Sequence, residues 1–187
     1  MYVAATRVLQ KHGFQQQLIC EYYMGSQGAR YWDMVYNGCN DILAIGSSGF
    51  GYINGVSYQN HKNVQHYIES LEKGVLPIWA VSQKVDQRSV KERFLVLGFR
   101  KGYIDCEQFE ATFQCPMTSS YHEILDTLIE KGLLYLNHNR YILTERGQFF
   151  QEEISAGFMQ SILGGTSSLK KRLAIGRNII PERLNDK

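Results

Sequence analysis

The sequence contains no run approaching the roughly 18 apolar residues of a membrane span, and its opening, Met1-Tyr2-Val3-Ala4-Ala5-Thr6-Arg7, does not read as a secretory signal. It has no excess of one charge. Twenty Lys and Arg against 18 Asp and Glu leave a formal net charge of +2, which excludes an obligate basic nucleic-acid binder but not a local basic patch. It has no cysteine motif either. Cys20, Cys39, Cys106 and Cys115 stand 19, 67 and 9 residues apart, which matches no zinc ribbon, C-x-x-C pair or ferredoxin run. They read as small buried hydrophobes, and no iron–sulfur site can be built locally from them. H-E-x-x-H, a nucleophile elbow and a Ser-His-Asp order are also missing, so no catalytic and no metal-ligating residues are assigned. What is present is a chain of 187 residues, 44% hydrophobic and 20% charged. That is ordinary for a soluble protein of one or two small domains, expected in the cytoplasm.

The first part reads as alternating helix and strand. Val3, Val8 and Leu9 share a face of a helix over residues 2–12, ended by Gly13. Phe14, Gln16, Leu18, Cys20 and Tyr22 occupy every second position, which predicts a strand. An aromatic-rich helix, Tyr31 to Tyr36, stops at Asn37-Gly38. Asp41-Ile42-Leu43-Ala44-Ile45-Gly46 predicts a buried, parallel strand emptying into a loop. This order is the grammar of an α/β layer. Asn54-Gly55, centred between apolar residues, predicts a hairpin. Residues 61–73 read as a helix and Leu76 to Val81 as extended, because Pro77 biases its predecessor away from the α region. A boundary is expected at about residues 75–85, which divides the chain into 1–80, 81–163 and 164–187.

From Asp86 the pattern is helical. Val90, Phe94 and Leu97 line one helix, and Cys106, Phe109 and Phe113 a second. Ser119 or Ser120 would cap a third, carrying Tyr121, Ile124, Leu125, Leu128 and Ile129. Leu133–Leu136 and Tyr141–Leu143 flank a turn, and a last helix starts at Thr144 and runs to about Ile162. Three helices followed by a hairpin describe a winged helix. Residues 164–187 hold six Lys and Arg against two acids and read as a basic tail.

Charge decides against DNA. Between Asp105 and Glu130 there are six acids and no Lys or Arg. The helix placed to enter a groove carries Glu123, Asp126 and Glu130, which a duplex would repel. The module is expected to be a packing or lid domain. The best local ligand candidate is the glycine-rich turn Ile45-Gly46-Ser47-Ser48-Gly49, since ligands sit at strand C-terminal ends in α/β sheets and barrels. With no G-x-G-x-x-G and no Gly-Lys-Ser/Thr, spacing alone favours a plain tight connection over a ligand turn. His61 and His66 are five apart, a spacing that does not align two ligands on a helix, and they read as surface residues. Tyr22, Tyr23, Tyr31, Trp32, Tyr36, Tyr52 and Tyr58 could stack on a flat ligand or pack in a core or subunit interface.

With these residues in view, the chain resembles the C-terminal part of the radical-SAM oxygen-independent coproporphyrinogen III oxidase-like family, which includes the oxidase, the haem chaperone and an anaerobic haem-utilisation branch. The resemblance runs from about residue 2 to about 163. It is most specific over Asp41 to Gly55 and continues through Tyr58-Gln59-Asn60-His61, Leu76-Pro77-Ile78 and Leu97 to Gly102. Lys131-Gly132-Leu133-Leu134 and Leu143-Thr144-Glu145-Arg146-Gly147 resemble the family's closing winged-helix-like domain.

The resemblance implies an α/β fold: the last βα units of a partial TIM-like barrel, then a mostly helical winged-helix-like domain covering substrate. It implies S-adenosylmethionine beside Ile45, Gly46, Ser47, Ser48, Gly49 and Phe50, with Phe50 standing where relatives carry an aliphatic residue or histidine. It also implies a [4Fe–4S] cluster in the full-length family, yet the C-x-x-x-C-x-x-C motif is absent here. Without three thiolates the chain alone has no electron with which to cleave S-adenosylmethionine. The haem chaperone's His-Asn-x-x-Tyr-Trp motif stands here as Gln27-Gly28-Ala29-Arg30-Tyr31-Trp32, with the aromatic pair kept and the histidine gone. The expected partners are a cluster-bearing N-terminal half, in cis or in trans, and a porphyrin or haem-type ligand, with self-association as a further possibility and neither DNA nor membrane. The competing readings are a non-catalytic tetrapyrrole-binding or haem-trafficking module and a decayed gene fragment.

Overall fold

The structure, a computed structural model, describes residues 1–36 and 40–160. The expected helix stop at Asn37-Gly38, Cys39, the end of the last helix and the basic tail lie outside the described residues. Helix α1 (Tyr2–Lys11) leads into β1 (Gln15–Leu18) and β2 (Glu21–Tyr23), which pair antiparallel. The single strand expected over residues 14–22 is therefore two. The chain reverses at Ile19-Cys20, with Cys20 at φ 73, and a period of two cannot tell one strand from the arms of a tight hairpin. Val8, expected on the buried face of α1, is 56% exposed.

Helix α2 (Arg30–Tyr36) follows as expected. Strands β3 (Phe50–Ile53) and β4 (Val56–Asn60) form the hairpin around Asn54-Gly55. Both turn residues have positive φ, 48 and 80, as a two-residue turn matched to strand twist requires. Helix α3 (Val64–Glu72) is capped by Asn63, whose side chain accepts the His66 N–H. Strand β5 (Ile78–Val81) then adds antiparallel to β4.

The buried parallel strand expected at residues 41–46 is not found. Ile42 makes one antiparallel bridge to Tyr52, while Leu43 and Ile45 are 72% and 83% exposed. The run is apolar and extended, but among the described residues no second strand lies along its other side.

Helix α4 (Gln87–Arg100) starts at Asp86, whose carboxylate accepts the Ser89 N–H at 2.8 Å. Strand β6 (Tyr103–Asp105), α5 (Cys106–Phe113), α6 (Thr118–Glu130), β7 (Leu134–Asn137), β8 (Arg140–Leu143), α7 (Glu145–Phe149) and α8 (Gln151–Gln160) complete the chain. Strand β6 is too short to announce itself in sequence, and it makes the hairpin a three-stranded sheet ordered β6-β8-β7. Three expectations change. Helix α4 buries Glu92, Phe94, Leu95, Gly98 and Phe99, a face rotated from Val90, Phe94 and Leu97. Helix α6 has no side-chain cap, because Ser119 lies inside its first turn and donates its hydroxyl to the Pro116 carbonyl at 2.7 Å. The last helix breaks at Phe150 into α7 and α8.

The two parts are buried very differently. The main hydrophobic cluster draws all its buried members from Phe94 to Phe158, with Leu95, Phe99, Leu128, Ile154 and Phe158 fully enclosed. Before it, Leu18 and Tyr52 are the large hydrophobics below a tenth exposure among the described residues. The Arg93 guanidinium lies 4.1 Å from the centre of the Tyr52 ring and ties α4 to the β3–β5 sheet. The exposed side of α6 presents Glu123, Asp126 and Glu130.

Gly147 sits so close that a Cβ there would collide with the Leu133 carbonyl, whereas one on Gly98 would overlap the end of the Ile104 side chain and lie 3.3 Å from the Tyr103 carbonyl oxygen. Gly147→Ala is expected to lower unfolding free energy by about 1–3 kcal/mol and Gly98→Ala by less, measured by denaturant titration. Burial, assisted by the Glu92 carboxylate, pushes the Tyr121 phenol up to about 12. The unfolded chain therefore ionises first. Stability is full below about pH 10 and falls between there and pH 12. Tyr121→Phe should flatten that alkaline slope in a stability–pH series.

Candidate functional site

An open groove of about 460 Å³ lies between residues 43–45, α3 and one face of the β3–β5 sheet. Leu43, Ile45, Ile53, Leu71, Leu76 and Val81 supply much of its apolar wall. The residues that fix its edge are polar. Tyr58 and Asn60 alternate along β4 on the groove side of the sheet, and Tyr67 reaches in from α3.

Gly51 stands opposite Tyr58 across the hairpin, and a Cβ on Gly51 would overlap the Tyr58 ring. The missing side chain lets that ring cross β3, so that the Tyr58 hydroxyl accepts the Ala44 N–H at 2.9 Å. Asn60, 2% exposed, donates from Nδ2 to the Gly46 carbonyl at 2.9 Å and the Ala44 carbonyl at 3.3 Å. Its own backbone N–H donates to the Gly49 carbonyl at 2.9 Å. The Tyr67 hydroxyl accepts the Gly46 N–H at 3.0 Å, and the Ser48 N–H donates to the His61 carbonyl at 2.9 Å. Sequence reading missed Asn60 and Tyr67. Their signal, a polar residue in a strand face and a tyrosine at a helical core position, is indistinguishable from ordinary amphipathicity.

The six residues singled out in the sequence do not share one surface. Ile45 lines the groove. Gly46 and Ser48 take positive φ, 93 and 61, and turn the chain. Gly49 is tight, since a Cβ there would lie 3.2 Å from both the Ala44 Cβ and the Gly46 carbonyl oxygen. Phe50, 71% exposed, alternates with Gly51 and so stands on the sheet face away from the groove. The histidines differ from expectation. His61 precedes α3 rather than lying on it, and its ring meets that of His66 edge to face at 5.9 Å. The aromatic residues are dispersed: Tyr31, Trp32 and Tyr36 contact one another along α2, Tyr52 is under Arg93, and Tyr58 is in the groove.

Two family-implied groups can be tested against this geometry. The cluster does not fit. Among the described residues no three His, Cys, Asp or Glu side chains come together to hold a metal. Cys20 lies in the β1–β2 turn and Cys106 and Cys115 at opposite ends of α5, with burial pushing the Cys106 thiol up and away from thiolate. At the turn the space is open: a Cβ on Gly46 would meet no atom within 4 Å, which leaves room for a ligand to approach that backbone.

Comparison with known proteins agrees with this architecture. Residues 85–150 match the HemN C-terminal domain. The chain is 27% identical over 154 residues to the heme chaperone HemW of Lactococcus lactis subsp. lactis, covering 79% of this chain and 38% of that one. It is 26% identical over 116 residues to anaerobilin synthase of Escherichia coli O157:H7, covering 61% and 24%. The fold is similar to that of coproporphyrinogen III oxidase (HemN) from Escherichia coli, a radical SAM enzyme, with a TM-score of 0.63 and 14% identity, covering 83% of this chain and 39% of that one. The chain thus spans under two fifths of the length of these relatives. Among the described residues no helix is long and apolar enough to cross a membrane.

Reconstitution of this chain alone with iron and sulfide is expected to give no iron–sulfur absorbance. A stoichiometric cluster would contradict the scattered cysteines. Residues 85–150 thus match the HemN C-terminal domain, and the chain as a whole is similar to the C-terminal part of HemN-like radical-SAM proteins.

Proposed function

We propose that this polypeptide forms one wall of an S-adenosylmethionine pocket and part of a tetrapyrrole cavity, and that it works joined to a cluster-bearing N-terminal half. In this reading residues 1–80 are the end of a partial TIM-like barrel, residues 81–163 a winged-helix-like cover, and residues 164–187 a basic tail. S-adenosylmethionine supplies radical chemistry only when an electron reaches it, and the cysteines of this chain give that electron no source. The chain's own part is to bind and orient. The Gly46 turn offers backbone to the ligand, and the groove excludes water once it is covered.

The carrying observation is the bare apolar edge at Leu43 and Ile45 beside a firmly hydrogen-bonded glycine turn. An apolar segment held to β3 by a single bridge, with its side chains toward solvent, leaves that sheet edge uncovered. The proteins named above whose length it fails to span have further chain available to complete it. The printed names of these relatives, a heme chaperone, anaerobilin synthase and coproporphyrinogen III oxidase, all concern tetrapyrroles, which supports that ligand class.

The test mixes this chain with a cluster-bearing N-terminal half of a relative and measures both co-elution and S-adenosylmethionine binding by calorimetry. Binding is expected in the mixture and at most weakly in either part. Leu43→Asp and Ile45→Asp, both at exposed positions, should leave the separate chain folded and weaken assembly by at least about tenfold, since burying an unpaired carboxylate is costly. Unchanged assembly in both variants would count against the groove as the joining face, and a stable self-dimer in place of the mixed species would assign it to a second copy.

A further inference from the structure

We propose that Asn60 and Tyr67 are positioning residues for the Gly46 turn, fixing the backbone that the ligand meets without touching the ligand themselves. This deepens the reading of the turn as an S-adenosylmethionine wall and rests on it. The turn takes some of its hydrogen bonds from backbone, the Ser48 N–H to the His61 carbonyl at 2.9 Å and the Gly49 N–H to the Gly46 carbonyl at 3.4 Å. One buried side chain and one helix side chain hold Gly46 in addition. Asn60 holds the Ala44 and Gly46 carbonyls through Nδ2 and the Gly49 carbonyl through its backbone N–H, so both ends of the turn hang on one residue. Tyr67 takes the Gly46 N–H. Gly46 therefore has donor and acceptor both fixed by side chains from different elements, β4 and α3.

The chemistry restricts which residues can do this. Two carbonyl oxygens need a donor that offers two hydrogens from one atom, and the carboxamide of Asn60 does so. Aspartate of the same shape, when ionised, would set a carboxylate against those carbonyls. Protonated, it would return one donor. Tyr67 contributes an acceptor at the far end of a rigid ring, which phenylalanine lacks while filling the same volume. The space beside Gly46 stays open, with nothing within 4 Å of where its Cβ would be. The clamp therefore holds the turn from behind and leaves its front free, the arrangement that pre-organises a ligand site.

The experiment uses the assembly of this chain with the cluster-bearing half and S-adenosylmethionine itself as the probe. Calorimetry on wild type, Tyr67→Phe and Asn60→Asp is run from pH 6 to 8, with amide hydrogen exchange on the same samples. Tyr67→Phe is expected to weaken binding about tenfold, the usual consequence of leaving one amide donor unpaired. The Gly46 amide should lose protection while Ile53 and Val56 in the neighbouring hairpin keep theirs. Asn60→Asp should bind more weakly at pH 8 and recover as pH falls, because its protonated form regains a donor and burial raises a carboxyl pKa. Wild-type affinity in both variants would overturn the positioning role while leaving the pocket reading intact. Equal loss of protection at Gly46 and throughout the hairpin would overturn it as well, by reducing both residues to structural ones. A wild-type assembly that does not bind S-adenosylmethionine takes down the reading of the turn and the positioning role together.

Discussion

An extended segment must hydrogen-bond its backbone somewhere, and between Ile42 and Gly49 this chain does so without a second strand beside it. One bridge to Tyr52 holds the start. After that, the phenols of Tyr58 and Tyr67 and the carboxamide of Asn60 stand in for the missing backbone partners. This requirement explains other choices. Gly51 is small so that the Tyr58 ring can pass, and Asn60 is polar although only 2% exposed. The turn at Gly46 is consequently well defined even though the strand leading into it faces solvent.

The same constraint divides the molecule. From Phe94 to Phe158 the chain closes a core on its own, with aromatic rings of Phe94, Phe109 and Phe113 meeting edge to face or tilted. The earlier residues close none, and most of the large exposed hydrophobics belong to them. The two parts are joined by Ile19, which packs against that core, and by specific contacts: the Ile19 N–H to the Arg100 carbonyl at 2.8 Å, Arg93 over Tyr52, and Tyr2 to Gln148 at 3.1 Å. A region with its own closed core thus carries a sheet whose edge at Leu43 and Ile45 is uncovered.

Much of this was legible in the sequence where local chemistry dictates structure. Asn54-Gly55, Asp86 and Thr144 each marked a turn or helix start that the structure contains, because each acts on backbone groups within three residues. In the last part apolar spacing showed the helices and the hairpin in order, but not strand β6, the buried face of α4, the uncapped start of α6 or the break at Phe150. The misses share a cause. The parallel strand at residues 41–46, the single strand at 14–22 and the helical spacing of His61 and His66 all required knowing what lies across space, and periodicity along the chain carries none of that. The site was half legible. Gly46 and Gly49 announced the turn, but the residues that hold it lie 14 and 21 positions from Gly46 and look like ordinary members of a strand and a helix.

The central claim is that the bare edge beside the Gly46 turn is completed by a cluster-bearing half. Hydrogen exchange of this chain, alone and after addition of that half, addresses it most directly. New protection at the amides of Leu43, Ile45 and Ser47 is the expected result, with α4 and α8 unchanged. Unaltered exchange at those three amides, or protection confined to the α4–α8 module, would contradict it.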